Sequence, residues 1–262
     1  MVKNILICGG LGYIGSHVAL SLLCAGYNPI IADNFANSDR SVINHLQTVS
    51  GVRIDFRVAD LTDQVVVFRL FEEFKPDAVI QLAGLKSVFQ SIAEPIKYYA
   101  VNLGITLNIL SAMSPYGCEK IVFSSSATVY GNPHYVPIDE GHRVLPINPY
   151  GRTKLFQEDI IRDWVASQQR AHAVILRYFN PVGADNSGLI GENPIGPPNN
   201  LMPILGDTAE GLRKEVVVFG ADYPTRDGTC ERDYIHVSDL ADAHVAALDC
   251  DLGQQYSVFN VG

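Results

Sequence analysis

Positive charge is scarce in this chain, and long apolar runs are missing. Its 262 residues include 19 Lys and Arg against 28 Asp and Glu, a formal net charge of -9. Without a basic stripe to meet phosphates, a nucleic-acid partner is not expected. No apolar stretch of the sequence is long enough to span a membrane, so no membrane partner is expected either. The apolar run at residues 5–8 is short and leads straight into glycines, so we expect no signal peptide.

Cysteine pairs and metal-binding spacings are also absent. The five cysteines are scattered without a CxxC pair, which favours free thiols in a reducing compartment, and we expect a cytoplasmic protein. The seven histidines show no HExxH spacing, so neither a metal site nor metal-dependent hydrolysis is predicted. What is present, 47% hydrophobic and 18% charged residues, is typical of a globular chain. Its length allows one large core, or one full domain and a smaller lobe.

Apolar and amphipathic segments alternate over the first 180 residues. Short apolar runs occur at 4–8, 29–32, 54–58, 78–82, 120–124 and 173–179, and helix-like segments lie near 14–25, 38–48, 63–74, 95–113 and 150–169. Asp63 and Pro95 are signals for two of the helix starts. Because the short runs are apolar throughout, the strands should be buried on both faces. The pattern predicts an α/β fold with a doubly wound, parallel (Rossmann) sheet.

The composition changes after Asn180. Residues 181–203 are rich in proline and glycine and show little periodicity. This predicts a loop region that carries side chains to a site, rather than a strand or a long helix. Regular structure is predicted to resume at 216–219 and 233–237, with a helix near 239–249 and a last strand near 257–261.

A glycine-rich turn follows the first predicted strand. Gly9, Gly10, Gly12 and Gly15 can be read as GxGxxG or as GxxGxxG. In either reading a side chain would keep the backbone from approaching a pyrophosphate, and the next helix would aim its free amides at the phosphates. Asp33 ends the second strand, where a carboxylate can bind both ribose hydroxyls and would repel a 2′-phosphate. We therefore predict NAD, rather than NADP, as the cofactor.

Two more strand ends are candidates for the cofactor site. Asp60 and Leu61 follow the third strand, where the carboxylate could meet the adenine amino group; the alternative is a surface aspartate. Ala83 and Gly84 follow the fourth strand, and their small size leaves room for a cofactor, because ligands of open α/β sheets sit at the carboxyl ends of the strands.

Tyr150 and Lys154 form the candidate chemical pair. They start the helix after the fifth strand, and residues four apart share one helix face. A nearby ammonium stabilises phenolate, so we expect the pKa of Tyr150 to be lowered, and an oxidised nicotinamide would add another positive charge, which together would make the tyrosine a usable base near neutral pH. Ser124, Ser125 and Ser126 close the fifth strand, and a hydroxyl there can bond the reacting oxygen; the alternative is a polar strand end.

Together these residues resemble the extended short-chain dehydrogenase/reductase family, and more closely the branch that interconverts UDP-glucose and UDP-galactose. The resemblance covers essentially the whole chain. It is carried by GGLGYIGSH (9–17), AGLK (83–86), SSSATVYG (124–131), RYFNPVGA (177–184), PNNLMP (198–203), DGT (227–229) and RDYIHV (232–237).

The resemblance implies a catalytic set of Tyr150, Lys154 and Ser126. Tyr150 would take the proton from the sugar 4-hydroxyl, Ser126 would share that hydrogen bond, and Lys154 would tune Tyr150. The sugar would pass through a 4-keto form, and NAD would stay bound as a prosthetic group. The full predicted cofactor set is Gly9, Gly12, Tyr13, Ile14, Gly15, Asp33, Asn34, Asn37, Ser38, Asp60, Leu61, Ala83, Gly84, Lys86, Asn102, Ser124, Tyr150, Lys154, Tyr178 and Phe179. The predicted substrate set is Lys86, Ser126, Tyr150, Asn180, Asn200, Leu201, Phe219 and Arg232, of which Arg232 would meet the diphosphate.

The resemblance also implies a domain plan. Residues 1–180 would form the NAD-binding Rossmann domain, to which 233–262 would partly return, and 181–232 would form part of a UDP-sugar-binding lobe. Family members continue for several dozen residues past Gly262, so we expect this lobe to be incomplete and the chain to be a shortened form. The predicted helices at 95–113 and 150–169 carry apolar stripes, and family members are commonly homodimers, so a homodimer is expected.

Four other functions are compared with the residues present. A sugar-nucleotide 4,6-dehydratase needs an Asp–Glu pair beside the strand-five hydroxyl, and Ser126-Ala127-Thr128 offers no carboxylate. A decarboxylase, or an epimerase acting on N-acetylhexosamines, stays open. A non-catalytic NAD-sensing protein on the same fold usually lacks the Tyr/Lys pair, which this chain keeps.

Overall fold

The computed structural model describes residues 3–196, 198, 200–250 and 253–262. The strands in this part are β1 (Asn4–Cys8), β2 (Asn28–Asp33), β3 (Asp55–Val58), β4 (Ala78–Gln81), β5 (Lys120–Ser126), β6 (His172–Tyr178), β7 (Asn180–Val182), β8 (Tyr234–His236) and β9 (Tyr256–Val261). The helices are α1 (Tyr13–Cys24), α2 (Ser41–Ser50), α3 (Gln64–Phe74), α4 (Val88–Ala93), α5 (Pro95–Met113), α6 (Pro149–Ala166), α7 (Leu201–Ala209) and α8 (Val237–Asp249), with a 3₁₀ turn η1 at Ala127–Tyr130.

Seven strands form one parallel sheet in the order β3-β2-β1-β4-β5-β6-β9. The order reverses between β1 and β4, which both pair in parallel register and end at the same edge. In open α/β sheets, ligands bind beyond the carboxyl ends of the strands at such a reversal point. The predicted doubly wound Rossmann sheet is therefore confirmed.

Helices cover both faces of this sheet. On one face, α3, α5 and α6 pack on side chains such as Val79, Ile121 and Ile175. On the other face, α1, α2 and α8 pack on the alternate residues of the same strands, such as Ile80, Val122 and Val174. Burial on both faces explains why inner strands such as β1, β2 and β4 are largely apolar, whereas the edge strand β3 is mostly exposed.

Two helix starts follow the signals read in the sequence. The Asp63 carboxylate caps α3 by accepting hydrogen bonds from the backbone N–H groups of Val65 at 2.8 Å and Val66 at 3.4 Å. Pro95 occupies the first turn of α5, where its missing N–H has no cost. Both predictions are confirmed.

Two expectations after the fourth strand were wrong, and one helix was missed. The short helix α4 precedes α5 and was not predicted. Residues 181–203 are not all loop, because β7 and the start of α7 lie in this range. Residues 216–219 form no regular element, and Val217, Val218 and Phe219 are exposed. An apolar run forms a strand only beside another strand, and no described strand lies beside this one.

The last part of the chain contributes to both sheets. β9 pairs with β6 at the edge of the main sheet, and β7 pairs with β8 in a separate two-stranded sheet. The boundaries of the two predicted domains stay predictions. Within the described ranges, no helix combines the length and apolarity needed to cross a lipid bilayer.

Candidate active site

The glycines in the turn after β1 have different structural roles. Gly9 has a φ of +80°, and a Cβ there would lie 2.9 Å from the Ala83 backbone nitrogen. A Cβ on Gly15 would lie 2.4 Å from the Gly9 carbonyl oxygen. These two positions therefore require glycine for the turn itself and for packing the start of α1 against it.

Gly12 differs, because the protein alone does not require glycine there. A Cβ on Gly12 would meet only the Gly9 carbonyl oxygen, at 3.4 Å, which is ordinary van der Waals contact. The residue is the N-cap of α1, with no side-chain cap. A bare backbone at a helix start is the arrangement that admits a phosphate, so this turn fits a dinucleotide.

Asp33 stabilises the same turn through hydrogen bonds. Its Oδ2 accepts a hydrogen bond from the Leu11 backbone N–H at 3.0 Å, and its Oδ1 accepts from the Phe35 N–H at 2.9 Å and the Ser38 hydroxyl at 2.8 Å. A carboxylate has about four lone-pair sites, so these bonds leave only about one for a ribose hydroxyl. Ser38, predicted as a cofactor contact, thus orients Asp33, and its own contact with NAD stays a prediction.

The other predicted cofactor residues lie along the same edge of the sheet. Asp60 is exposed, and its Oδ1 accepts from the Thr62 N–H and hydroxyl. Asn102 is buried, and its amide joins Leu85 to Thr153 on α6, at 2.8–3.1 Å. Asn102 therefore shapes the loop after β4 rather than presenting a free group. Direct cofactor contacts by the remaining members stay predictions: Tyr13, Ile14, Asn34, Asn37, Leu61, Ala83, Gly84, Lys86, Ser124, Tyr178 and Phe179.

Local structure places Tyr150 in the first turn of α6. Asn148 caps the helix, its Oδ1 accepting from the Gly151 N–H at 2.8 Å, and Pro149 opens the turn. A Cβ on Gly151 would lie 2.8 Å from the Thr128 carbonyl oxygen. Glycine at this position therefore lets α6 approach η1, which follows directly from Ser126.

The Ser126 hydroxyl has its proton free for the site. Its Oγ accepts hydrogen bonds from the Thr128 backbone N–H at 3.2 Å and from the Thr128 hydroxyl at 2.9 Å. With both lone pairs used in this way, Ser126 has its own proton to donate, and it is close enough to the Tyr150 hydroxyl to lower the pKa of this phenol. Ser126 and Tyr150 are brought together as predicted from the sequence.

Lys154 lies behind the pair. It is buried, and its Nζ donates a 2.7 Å hydrogen bond to the Ser124 carbonyl oxygen, 5.9 Å from the Tyr150 ring centroid. Burial lowers the pKa of Lys154 to about 8, partly offset by the negative charge of Glu158 one turn further along α6. The ammonium is therefore only partly retained above neutral pH.

The expected lowering of the Tyr150 pKa was wrong. Burial raises the pKa of Tyr150 to about 12, and the hydrogen bond from Ser126 lowers it by less than burial raises it. The reason is that desolvation disfavours phenolate, while the Lys154 ammonium bonds the strand carbonyl instead of the phenol.

Apart from Ser126, the predicted substrate residues are not brought to Tyr150 by any contact among the described residues. Asn180 donates to the Asp233 carbonyl at 2.8 Å, Asn200 donates to Glu192 at 2.6 Å, and Arg232 donates to the Glu231 carbonyl at 2.7 Å. Lys86 lies 3.5 Å from Glu192. Leu201 and Phe219 are exposed, Phe219 by 96%. Pro197 and Asn199 of the same loop lie outside the described residues.

Sequence reasoning missed a buried ion pair behind the site. Glu158 and Arg177 form two hydrogen bonds, at 2.6 and 3.0 Å, and Ser125 donates to the same carboxylate. Two signals could have revealed it. Glu158 continues the four-residue spacing of Tyr150 and Lys154, and Arg177 interrupts an otherwise apolar strand.

Glu192 was also missed. Its carboxylate is shared by Lys86 and Asn200, and its charge contributes to raising the pKa of Tyr13 after the larger effect of burial. A glutamate in a loop of glycine and proline carries no sequence signal that separates it from a surface residue.

The strand order, the glycine turn at the reversal point and the Tyr/Lys pair define a dinucleotide-binding enzyme of the Rossmann class. Comparison with known proteins is more specific. The model of the NAD dependent epimerase/dehydratase family matches residues 5–262, and the chain belongs to this family.

Each of the three similar proteins described next is named a UDP-glucose 4-epimerase. UDP-glucose 4-epimerase 2 of Arabidopsis thaliana is 49% identical over an alignment covering 100% of this chain and 76% of the relative. UDP-glucose 4-epimerase of Bacillus subtilis is 50% identical, with 94% of this chain and 72% of the relative covered. The crystal structure of UDP-glucose 4-epimerase from Bifidobacterium longum in complex with NAD+ and UDP superposes with a TM-score of 0.96 at 45% identity, covering 99% of this chain and 78% of that one.

Proposed function

We propose that this chain reversibly converts UDP-glucose to UDP-galactose by inverting carbon 4 of the sugar, with NAD held as a bound cofactor. The observation that carries the proposal is the meeting of Tyr150 and Ser126 at the carboxyl end of β5, at the same edge of the sheet as the glycine turn. The epimerases of similar sequence, and the similar structure bound to NAD+ and UDP, support it.

The residues present fit NAD. Gly12 leaves the start of α1 bare for the diphosphate, and Asp33 keeps part of its carboxylate for a ribose hydroxyl. A carboxylate at this position disfavours a 2′-phosphate, which supports NAD over NADP. When bound, NAD supplies the hydride acceptor and donor for carbon 4.

Tyr150 is the group that exchanges a proton with the sugar 4-hydroxyl. With a pKa of about 12, Tyr150 starts as the neutral phenol. An added positive charge close to its ring would favour the phenolate, and the Lys154 Nζ lies 5.9 Å from the centre of this ring. Ser126 supplies a hydroxyl proton beside the phenol, so it can hold the reacting oxygen while the proton moves.

The UDP part of the substrate is assigned to β7, to α7 and to the segments on either side of α7. Arg232 carries an exposed guanidinium suited to a diphosphate, and Phe219 offers an exposed ring for the uracil. Lys86 and Asn200 face Glu192 in this structure, so they would have to leave this carboxylate to meet the ligand.

The decisive experiment is incubation of the protein with UDP-galactose and no added NAD, followed by chromatography for UDP-glucose. We expect conversion by the wild type, and a loss of roughly 10²–10⁴-fold in Tyr150→Phe, the range assigned to general acid–base groups. Tyr256→Phe, which removes a tyrosine hydroxyl at the start of β9, is the matched control and should turn over normally.

Other outcomes would overturn the proposal. Conversion of UDP-N-acetylgalactosamine alone would identify the protein as an epimerase of N-acetylhexosamines. A dehydrated sugar as the product would identify a dehydratase. Binding of NAD without turnover of any UDP-sugar would indicate a non-catalytic, cofactor-sensing protein. Normal turnover by Tyr150→Phe would exclude Tyr150 as the proton-exchanging group.

We further propose a homodimer, a cytoplasmic location and a place in galactose metabolism. The dimer is supported by exposed apolar side chains on three neighbouring helices, namely Phe89 and Ile92 on α4, Ile96 and Leu107 on α5, and Phe156 on α6. The location is supported by five cysteines without a disulfide, which is usual in a reducing compartment.

A further inference from the structure

One glutamate contacts two of the predicted substrate residues at once. Glu192 lies in the segment between β7 and α7, and its side chain is only 10% exposed. A single oxygen, Oε1, accepts a 2.6 Å hydrogen bond from the Asn200 side-chain amide and lies 3.5 Å from the Lys86 Nζ. Lys86 follows β4, so this carboxylate joins the carboxyl edge of the main sheet to the start of α7. The proposed function gives Glu192 no task.

Both partners of Glu192 are groups that bind anions. A lysine ammonium and a primary amide donate hydrogen bonds to phosphate oxygens as well as to carboxylate oxygens. Asn200 is the N-cap residue of α7, yet its side chain makes no capping hydrogen bond and bonds Glu192 instead. A helix start also favours a nearby negative charge. Glu192 therefore places its carboxylate where the fold suits an anion.

The contacts of Glu192 can be exchanged for contacts with a ligand. At 3.5 Å the Lys86 Nζ is within ion-pair reach but beyond the usual N–H···O distance, so the attraction is chiefly one of charge. The Lys86 side chain is half-exposed and Asn200 is exposed, so both can turn toward a ligand that arrives from solvent. A partly exposed ion pair holds its members weakly. A diphosphate, which carries more negative charge than one carboxylate, can therefore take both partners from Glu192.

We propose that Glu192 is an internal competitor of the substrate: its carboxylate occupies Lys86 and Asn200 until the diphosphate of the UDP-sugar displaces it. This rests on the proposed function, which assigns Lys86 and Asn200 to the substrate. Because each binding event must break these two contacts, Glu192 lowers the affinity for UDP and favours release of the product. It acts only against ligands that carry phosphate, since uridine has no charge to offer Lys86.

Two variants of this one ion pair separate competition from a structural role. Glu192→Gln keeps the shape of the side chain and an acceptor for Asn200 but removes the charge, so it should bind UDP about fivefold more tightly. Lys86→Met removes the cation that the phosphate would gain, so it should bind UDP about fivefold less tightly. If the pair only held the loop in place, breaking it from either side would change the affinity in the same direction.

Uridine and a remote glutamate are the controls. Calorimetry on the full chain as purified, without removal of any bound nucleotide, gives the affinities for UDP and uridine. Neither Glu192→Gln nor Lys86→Met should change the affinity for uridine. Glu72→Gln, at an exposed glutamate on α3, removes the same charge from the chain and should bind UDP like the wild type.

The direction of the change in UDP affinity tests the inference. Unchanged or weaker UDP binding by Glu192→Gln, or an equal gain for UDP and uridine, would overturn it. Unchanged UDP binding by Lys86→Met would overturn it as well, because the carboxylate would then hold a cation that the phosphate does not use. A wild type that does not bind UDP would instead overturn the proposed function.

Discussion

The Lys154 ammonium lies 2.7 Å from the Ser124 carbonyl oxygen and does not bond the Tyr150 hydroxyl. Its Nζ lies 5.9 Å from the centre of the Tyr150 ring, and its positive charge is present only while Lys154 is protonated. The pH at which Lys154 loses its proton thus becomes visible in turnover.

The first prediction concerns this titration. Since the pKa of Lys154 is about 8, the protonated form dominates below pH 8 and is lost above it. We expect epimerisation measured from pH 6 to 10 to show a limb that falls above about pH 8. Lys154→Met should lower turnover roughly 10²-fold or more at every pH, and the falling limb should be absent. A variant that keeps the limb would assign it to another group.

The second prediction concerns the buried pair of Glu158 and Arg177. Removing one member leaves an uncompensated buried charge, so Arg177→Met should lower the free energy of unfolding by about 3–5 kcal/mol. The double variant Arg177→Met, Glu158→Met should recover much of this loss, because no lone charge remains. Urea titration of both variants measures their free energies of unfolding. A double variant less stable than Arg177→Met would show that the pair is needed for more than charge balance.

The third prediction concerns acid stability and His244. Its pKa is about 4 in the folded protein and about 6.5 in the unfolded chain, so the unfolded state binds more protons between these values. Stability is therefore complete above pH 6.5 and is lost as the pH falls toward 4. The loss between pH 7 and pH 5 should be about 2 kcal/mol from this group. His244→Phe should show a smaller loss over that range in urea titrations, and an equal loss would contradict the prediction.

Local signals in the sequence were reliable where one segment decides the structure. Asp63 caps α3 and Pro95 opens α5 because both effects lie within one turn. The inner strands of the main sheet were found for the same reason, since burial on both faces makes them apolar, whereas β3 at the edge is mostly exposed. The prediction of regular structure at 216–219 was wrong because a strand also needs a neighbouring strand. The residues of the run cannot reveal whether such a strand is present.

The features of the candidate site also fall into those that the sequence reveals and those that it does not. The glycine turn and the Tyr/Lys spacing can be read from the sequence because their chemistry depends on a few adjacent residues. The direction of the Tyr150 pKa shift could not be read, because it depends on how much water the folded chain removes. Gly151 was overlooked because its requirement comes from Thr128, more than 20 positions away in the chain.

The fourth prediction concerns the proposed dimer. Leu107 and Phe156 are exposed apolar side chains on α5 and α6, which pack against each other. A glutamate at either position would place a charge in the apolar contact, so Leu107→Glu and Phe156→Glu should each sediment as monomers at concentrations where the wild type is a dimer. Val58→Glu, at an exposed valine on β3, is the control and should not change the mass. A wild type that sediments as a monomer would end the dimer proposal.

The last prediction separates two glycines of one turn. A methyl group on Gly15 would lie 2.4 Å from the Gly9 carbonyl oxygen, whereas one on Gly12 would lie at a tolerable 3.4 Å. Gly15→Ala should therefore lower the melting temperature, while Gly12→Ala should melt like the wild type. If the turn holds a pyrophosphate, the Gly12 methyl group occupies the space that the phosphates need, so Gly12→Ala should lose most of its affinity for NAD and for ADP-ribose alike. A Gly12→Ala protein that binds both nucleotides normally would mean that the diphosphate lies elsewhere, because no internal contact of the chain explains glycine at this position.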